Sequence, residues 1–404
     1  MRWGLWLAML LVLPGVARAQ DDPQHMAPSM DPARKPNGLA LTPPMGWNSW
    51  NKFACNVNEK VVRDTADAMA AGGMRDAGYQ YVVIDDCWHG SRDDNGFITW
   101  DTQRFPSGMN ALADYIHSKG LKFGIYSDAG KLTCGGRPGS QGHEYQDAIA
   151  YARWGVDYLK YDWCWTGNRN AEEAYATMAD ALKASGRPIV FSICEWGNNR
   201  PWLWAQKIGN LWRTTGDIWD SFAGKDPAHS WAHNLLDIVD QNERLWPFAG
   251  PGHWNDADML EVGNGGMSDV EYRTHFSLWA MMASPLMAGN DVANMSEATR
   301  AILLNKDVIA VDQDALGVQG RRVRDDGDLE VWARPLSDGG RAVLLLNRGA
   351  APAEIAVDWA EIGYPAAIAA DVRDLWAHKL LAKAKGRFAA TVAPHGVVMV
   401  RVTP

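Results

Sequence analysis

Carboxylic acids end a series of short apolar segments in this sequence. Paired carboxyl groups that meet in a folded chain can act as acid, base or nucleophile. Hydrolysis of a glycosidic bond needs two of them, one on each side of the bond. Two basic residues occupy similar positions and could hold hydroxyl groups or restrain the carboxylates. The acidic residues are Asp85, Asp86, Asp128, Asp162, Glu195, Asp217, Asp256 and Asp258, and the basic residues are Lys160 and Arg213.

The segments that would position these residues alternate with amphipathic, helix-like stretches. This alternation predicts a (β/α)8 TIM barrel over residues 41–315, with the functional groups at the carboxyl ends of its strands. An open doubly wound sheet is the alternative, but no GxGxxG motif follows the first strand to support it. The apolar runs are Met45–Trp50, Tyr79–Asp86, Leu121–Asp128, Asp157–Trp163, Pro188–Trp196, Leu211–Asp217, His253–Leu260 and Pro285–Asp291. The helix-like stretches include Glu59–Ala77, Pro106–Lys119, Tyr145–Trp154 and Ala171–Ala184.

The rest of the chain divides into three parts. Residues 1–19 combine a basic residue, an apolar stretch and an A-x-A cleavage pattern, which predicts a signal peptide and export to the periplasm or the outside. Residues 20–40 are polar and Pro-rich and predict a flexible lead-in. Short β-rich runs separated by turn signals predict an antiparallel β-sandwich domain over residues 316–404. These runs are Leu329–Ala333, Ala342–Leu346, Glu354–Val357, Phe388–Val392 and Val397–Val402.

Composition argues against several classes of partner. The 404 residues carry a formal net charge of −9 without a basic block, so no nucleic-acid binding is expected. No later apolar run is long enough to cross a bilayer, so no membrane partner is expected either. The 21 tryptophans offer flat apolar faces that suit sugar rings or a large core. An acidic, aromatic site fits a neutral polyol, whereas a phosphorylated substrate would need a Gly-rich or basic cradle that the sequence lacks.

Five cysteines leave at least one thiol without an intramolecular partner. Export permits disulfides, but spacing alone does not decide which cysteines pair. The sequence has neither a CxxC motif nor a Cys/His cluster, so we expect no metal ion and no cofactor. The cysteines are Cys55, Cys87, Cys134, Cys164 and Cys194.

Seven short motifs stand in order between Asn37 and Leu260. They are Asn37–Ala40 with Pro44–Asn48, Ile84–Trp88, Gly124–Tyr126, Tyr158–Asp162, Cys194–Gly197, Trp212-Arg213 with Asp217, and Pro251–Asp256 with Asp258–Leu260. With these motifs the sequence resembles the α-galactosidase (melibiase) branch of glycoside hydrolase family 27. The resemblance implies an exo-acting retaining enzyme that removes terminal α-D-galactosyl residues through a covalent glycosyl-enzyme.

The resemblance assigns roles to two of the carboxylates. Asp162 would be the nucleophile, and Asp217 would be the general acid and then the general base. Lys160 lies two residues before Asp162 on the same strand, so its charge should help to keep Asp162 ionised. Because Asp217 has to hold a proton in the free enzyme, we expect it to lie in a more apolar setting with little charge compensation.

The resemblance also implies a set of residues that bind the galactosyl ring. Asp85 and Asp86 would bind the hydroxyls on the 4 and 6 side, and Trp47 would pack beside the hydroxymethyl group. Glu195 and Arg213 would hold the 2-hydroxyl side. The full set is Trp47, Asp85, Asp86, Tyr126, Cys134, Lys160, Glu195, Arg213 and Asp258.

Two disulfides are implied in the same way. They are Cys55–Cys87 and Cys134–Cys164, and they leave Cys194 as a buried free thiol.

Other activities stay open beside galactoside hydrolysis. Within the same family, α-N-acetylgalactosaminidases carry small residues where Glu195 stands, and β-L-arabinopyranosidases carry a longer acid near Asp86; both residues here favour galactose. A non-catalytic galactoside-binding protein is a distant alternative.

The expected partner is a galactose-containing oligo- or polysaccharide, with contacts beyond the galactose predicted from the loops Gly167–Ala171 and Asn198–Trp204. The sequence leaves the oligomeric state open.

Overall fold

The computed structural model describes residues 35–225 and 230–404. The predicted signal peptide and residues 20–34 of the predicted lead-in lie outside the described residues. The strands are β1 (Met45–Asn48), β2 (Tyr81–Ile84), β3 (His89–Arg92), β4 (Ile98–Trp100), β5 (Lys122–Asp128), β6 (Tyr158–Asp162), β7 (Val190–Cys194), β8 (Leu211–Arg213), β9 (Trp254–Asp256), β10 (Leu286–Ala288), β11 (Arg321–Asp326), β12 (Leu329–Pro335), β13 (Arg341–Asn347), β14 (Ala353–Asp358), β15 (Ala369–Asp374), β16 (Lys379–Leu380), β17 (Ala384–Lys385), β18 (Arg387–Val392) and β19 (Val397–Thr403). The helices are α1 (Trp50–Phe53), α2 (Glu59–Ala71), α3 (Met74–Ala77), α4 (Gly108–Ser118), α5 (Glu144–Trp154), α6 (Ala171–Ala184), α7 (Leu235–Asn242), α8 (Asp269–Met281), α9 (Glu297–Leu303) and α10 (Lys306–Asp312).

Eight parallel strands form a closed ring. Their order around it is β1, β2, β5, β6, β7, β8, β9 and β10, and β10 pairs with β1. A parallel bridge between Leu260 and Ala288 joins the β9 and β10 sides. Each strand lies within one of the eight predicted apolar runs, because a strand buried on both faces reads as an uninterrupted apolar segment. The prediction of a (β/α)8 barrel is confirmed.

Several of the helices begin at a side chain that caps their first turn. The Asn58 side chain starts α2 by accepting a hydrogen bond from the Val61 amide at 3.0 Å, and Ser268 starts α8 with a capping box. The single helix predicted over Glu59–Ala77 is two helices, α2 and α3. Gly73 lies between them with a φ of +88°, which a helix cannot accommodate. Within the described chain, none of the helices combines the length and the apolar character that crossing a bilayer requires.

The C-terminal part is an antiparallel sandwich, as predicted. One sheet has the order β11, β12, β13, β19, β15 and β16, β17 pairs with β15, and a second sheet is formed by β14 and β18. Alternate side chains of β13 serve two cores. Val343 and Leu345 pack toward the second sheet with Ile355, whereas Leu344 belongs with Trp332 to the core of the barrel.

The barrel register gathers the carboxyl ends of the strands. Asp128 at the end of β5 lies opposite Asp162 at the end of β6, and Asp162 lies opposite Cys194 at the end of β7. Farther around the ring, Arg213 on β8 lies opposite Asp256 on β9. Residues from distant parts of the sequence therefore meet at one face of the barrel.

Candidate active site

A cavity of about 720 Å³ opens at the carboxyl ends of the barrel strands. Nine of the eleven predicted catalytic and sugar-binding residues line it: Asp85, Asp86, Tyr126, Cys134, Lys160, Asp162, Arg213, Asp217 and Asp258. A second cavity, of about 580 Å³, lies beside the amino end of β7 and holds none of these residues. The first cavity is therefore the candidate active site.

Asp162 is held by neutral hydrogen-bond donors. The Tyr126 hydroxyl donates to Oδ2 and the Trp163 amide donates to Oδ1, both at 2.9 Å. Burial raises the pKa of Asp162 to about 7, with the nearby charge of Asp217 adding to the rise. Lys160, Tyr126 and the Trp163 amide oppose this effect because they favour the charged carboxylate.

Lys160 forms its ion pair with Asp85. Its Nζ lies 2.8 Å from Asp85 Oδ2, and the side-chain Nδ2 of Asn48 donates to the same oxygen at 2.8 Å. Burial lowers the pKa of Lys160, but the charges of Asp85, Asp162 and Asp258 outweigh it and raise the pKa well above its usual range. The lysine is therefore a permanent cation beside the nucleophile candidate, as its spacing from Asp162 predicted.

Asp86 joins two loops at the base of the cavity. The amides of Cys87 and Gly135 donate to its two oxygens at 2.6 and 2.7 Å. Burial raises the pKa of Asp86, and these two bonds oppose the rise. A Cβ at position 135 would lie 2.9 Å from Asp86 Oδ2, so a glycine is needed for the loop to approach this closely.

Arg213 holds Asp217 and Asp258. Its Nη1 lies 3.1 Å from Asp217 Oδ1, and its Nη2 lies 2.9 Å from Asp258 Oδ2. The guanidinium is buried and also donates to the carbonyls of Thr215 and Gly216, at 3.1 and 2.7 Å. The expectation of an apolar, uncompensated setting for Asp217 is wrong. The loop after β8 folds back over Arg213, which brings the carboxylate against a cation and leaves its side chain 32% exposed.

Trp47 and Glu195 do not line the cavity, contrary to the prediction. The Trp47 side chain is fully buried and its indole donates to the Asn290 carbonyl at 2.9 Å. Glu195 is fully buried, and its Oε2 accepts bonds from the amide and side chain of Asn199 at 2.6 and 2.7 Å. Trp196, the next residue, lines the cavity in its place with a φ of +59°. Burial raises the pKa of Glu195 to about 7.

Asp128 lies opposite the nucleophile candidate in the strand register but does not line the cavity. The amides of Gly130 and Cys164 donate to it at 2.6 and 2.9 Å. Burial, together with the nearby charge of Asp162, raises its pKa to about 9. Its place at a strand end was visible in the sequence, but no motif assigned it a role.

The remaining lining residues come from the loops after β1, β7, β8 and β9, and none of them was predicted as a site residue. They form what we call the outer wall: Trp50, Asn51, Lys52, Ala54, Trp196, Ile218, Trp219, Asp220, Trp231, Met259, Glu261, Asn264 and Gly266. The high tryptophan content is the feature of the sequence that could have indicated this wall, because several of its residues are tryptophans. The loops Gly167–Ala171 and Asn198–Trp204, predicted to contact the sugar beyond the galactose, do not line the cavity.

Both implied disulfides are present. They are Cys55–Cys87 and Cys134–Cys164, and Cys194 is a buried free thiol. Within residues 35–225 and 230–404, the one cluster of potential metal ligands is Asp128 with Cys134 and Cys164. Because both sulfurs belong to a disulfide, they are not available as thiolates.

Comparison with known proteins places this site in a family. A family model described as "Alpha galactosidase A" matches residues 42–314, and one described as "Alpha galactosidase C-terminal beta sandwich domain" matches residues 326–402. An alpha-galactosidase A from Cellvibrio japonicus is 54% identical over 384 residues, which cover 92% of this chain and 94% of that protein.

Solved structures agree with the sequence matches. Alpha-galactosidase I from Mortierella vinacea is similar with a TM-score of 0.89 and 41% identity, over 91% of this chain and 98% of that chain. An alpha-galactosidase from Saccharomyces cerevisiae, solved with raffinose, has a TM-score of 0.85 and 34% identity, over 91% and 99%. The chain is a glycoside hydrolase and belongs to the α-galactosidases of glycoside hydrolase family 27.

Proposed function

We propose that the protein is an exo-acting retaining α-galactosidase that hydrolyses terminal α-D-galactosyl residues of oligo- or polysaccharides. The observation that carries this proposal is the unlike setting of two carboxyl groups on one cavity. Neutral donors hold Asp162, whereas the guanidinium of Arg213 holds Asp217. Two carboxyl groups in different surroundings suit the separate roles of nucleophile and acid/base.

The reaction proceeds in two displacements. In the first, Asp162 attacks the anomeric carbon, the bond to the leaving oxygen breaks, and Asp217 gives that oxygen its proton. The sugar is then held as an ester of Asp162. In the second, Asp217 takes a proton from a water molecule, whose oxygen displaces Asp162 from the anomeric carbon. The two inversions together retain the α configuration.

The first displacement requires an ionised Asp162 and a protonated Asp217. The nearby charge of Asp217 raises the pKa of Asp162, which opposes ionisation of the nucleophile candidate. Lys160 and the Tyr126 hydroxyl stabilise the charge on Asp162.

Galactose is the favoured sugar for reasons of size and hydrogen bonding. Asp85 and Asp86 are short acids that leave room for the hydroxymethyl group, which a β-L-arabinopyranoside lacks. Glu195 and Trp196 fill the end of β7, where a 2-acetamido group would need small residues. A site that offers buried polar groups to a given hydroxyl rejects sugars that leave those groups unpaired.

We also propose export, with a galactose-containing oligo- or polysaccharide as the substrate. Two disulfides are typical of proteins in oxidising compartments outside the cytosol. The similar Saccharomyces cerevisiae enzyme was solved with raffinose, which supports oligosaccharides that end in galactose as substrates.

The test compares three aryl glycosides on the purified protein. We expect hydrolysis of p-nitrophenyl α-D-galactopyranoside to exceed that of the β-L-arabinopyranoside and the α-N-acetylgalactosaminide. NMR of the first product should show α-galactose before mutarotation, and Asp162→Asn should lose turnover while its circular dichroism is unchanged. A first product in the β configuration, or normal turnover by Asp162→Asn, would overturn the mechanism. Galactoside binding without hydrolysis would favour a binding protein.

A further inference from the structure

The C-terminal sandwich contacts the loop that carries the acid/base candidate. The contact residue is His395, which lies in the turn between β18 and β19. Its ring stacks on the ring of Phe222, with the two centroids 4.5 Å apart and the planes 15° from parallel. Phe222 is buried and belongs, like Asp217, to the loop after β8. A side chain of one domain therefore packs on the loop that bears the proton donor of the other.

The first turns of α8 hold His395 in place. Its Nδ1 lies 2.8 Å from Glu271 Oε1, and the Ser268 amide donates to the other oxygen of Glu271 at 2.8 Å. The Thr274 hydroxyl donates to the carbonyl of His395, also at 2.8 Å. Because both its ring and its backbone are bonded to α8, His395 presents a ring of fixed orientation to Phe222.

The segment between Phe222 and Asp217 is tied at both ends to the start of α7. The His233 amide donates to the Asp217 carbonyl at 2.7 Å, and the Trp219 amide donates to the His233 carbonyl at 3.0 Å. At the other end, the Leu236 amide donates to the Phe222 carbonyl at 3.2 Å. A displacement of Phe222 therefore disturbs a bonded unit that also contains the backbone of Asp217.

We propose that His395 is a positioning residue for the acid/base candidate, and that the C-terminal domain uses this contact to aim the Asp217 carboxyl group at the leaving oxygen. This inference rests on the proposed function and gives the second domain a part in that reaction. His395 does not line the active-site cavity, so it acts through Phe222 and touches no reacting atom. A small misplacement of a reacting group is costly because proton transfer requires hydrogen-bond geometry.

The experiment compares two substrates of the full-length enzyme that differ in their need for a proton. Methyl α-D-galactopyranoside loses a strongly basic alkoxide unless Asp217 protonates the leaving oxygen, whereas p-nitrophenolate leaves with little help. Because kcat/KM covers the steps up to departure of this group, it reports the first displacement for both substrates.

His395→Asn removes the ring and suits the backbone, since asparagine tolerates the φ of +53° found here. We expect its kcat/KM on the methyl galactoside to fall about tenfold, while kcat/KM on p-nitrophenyl α-D-galactopyranoside stays within twofold of wild type. Phe222→Leu removes the other ring of the stack and should show the same difference between the substrates. It also keeps the test open if His395→Asn does not fold.

His378 supplies a matched control. It lies in the turn between β15 and β16 with a φ of +54°, and its Nδ1 lies 3.0 Å from Asp307 in the first turn of α10. Its side chain is 44% exposed, against 39% for His395, but it joins the sandwich to α10 and not to the loop after β8. His378→Asn should hydrolyse both substrates like wild type.

Three results would overturn the positioning role. They are equal losses on both substrates in His395→Asn, no loss on the methyl galactoside, and the same difference between substrates in His378→Asn. A wild-type enzyme that cleaves neither substrate would overturn the proposed function and this inference with it.

Discussion

Replacing Tyr126 with phenylalanine should make the enzyme fail at acid pH. The buried hydroxyl of Tyr126 donates to Asp162 Oδ2 at 2.9 Å and stabilises the ionised carboxylate. The variant keeps the aromatic ring, which lies 5.5 Å from the Lys160 ammonium, so the change removes little besides one donor. The pKa of Asp162, about 7 in the intact site, should rise because the charged form loses a partner.

The size of the effect follows from the strength of such a bond. A hydrogen bond to a charged group contributes about 1.5 to 3 kcal/mol, which corresponds to a displacement of about 1 to 2 pH units. A nucleophile must be ionised to attack, so kcat/KM falls as the pH drops below the pKa of Asp162. At pH 5 we expect kcat/KM of Tyr126→Phe to be about 10- to 100-fold below wild type, with a smaller loss near neutrality.

The assay is kcat/KM for an α-galactoside from pH 4 to 9, because this parameter reports the free enzyme. Tyr161→Phe is the matched control. Tyr161 immediately precedes Asp162 on β6, but its side chain points to the other face of the strand and packs against Tyr175 and Phe191. An acid limb in Tyr126→Phe that coincides with wild type, or an equal displacement in Tyr161→Phe, would refute the reasoning.

Two further predictions concern stability. Cys134→Ser with Cys164→Ser opens a loop closed over 30 residues and should lower the free energy of unfolding by about 3 to 4 kcal/mol, measured by urea denaturation; a loss below about 1 kcal/mol would contradict this. Burial raises the pKa of Glu261 and of Asp312 to about 8, from ordinary values of 4.5 and 3.8. At a pH below the ordinary pKa values, both the folded and the unfolded chain hold these two protons. At a pH between the ordinary values and about 8, only the folded chain holds them. The free energy of unfolding should therefore fall as pH rises through that window, by up to about 1.4 kcal/mol per pH unit for each group. In Glu261→Gln the free energy of unfolding should fall less steeply with pH, because the contribution of Glu261 is removed. An unchanged dependence on pH would contradict the raised pKa of Glu261.

The sequence predicted the barrel well because its strands are buried on both faces. The run Tyr81–Ile84 is apolar throughout and is followed directly by Asp85 and Asp86, so both the strand and its functional terminus are visible. Strands without this character were missed. The hairpin of β3 and β4 and the edge strand β11, with the sequence Arg321–Asp326, are short or charged and read as turns.

The candidate site was predictable where a motif fixes both the residue and its strand. Asp85, Lys160 and Asp162 lie within two residues of a strand end, and the barrel geometry alone brings them to the cavity. The environment of Asp217 was not predictable, because its contact with Arg213 depends on how the loop after β8 folds back. The side-chain directions of Trp47 and Glu195 depend on partners elsewhere in the chain, Asn290 and Asn199, and the outer wall depends on contacts between loops that no local pattern encodes.

The distribution of charge supports the role of nucleophile that we propose for Asp162. Lys160 and Arg213 are engaged by other acids: Lys160 pairs with Asp85, and Arg213 pairs with Asp217 and Asp258. The charge on Asp162 is balanced by neutral donors and by a lysine already paired elsewhere, so holding that charge in a buried site is costly, as its raised pKa records. Ester formation with the sugar neutralises this charge and relieves the cost. The arrangement therefore disfavours the free carboxylate relative to the transition state in which its charge is partly lost, and a direct ion pair to Asp162 would cancel part of that advantage.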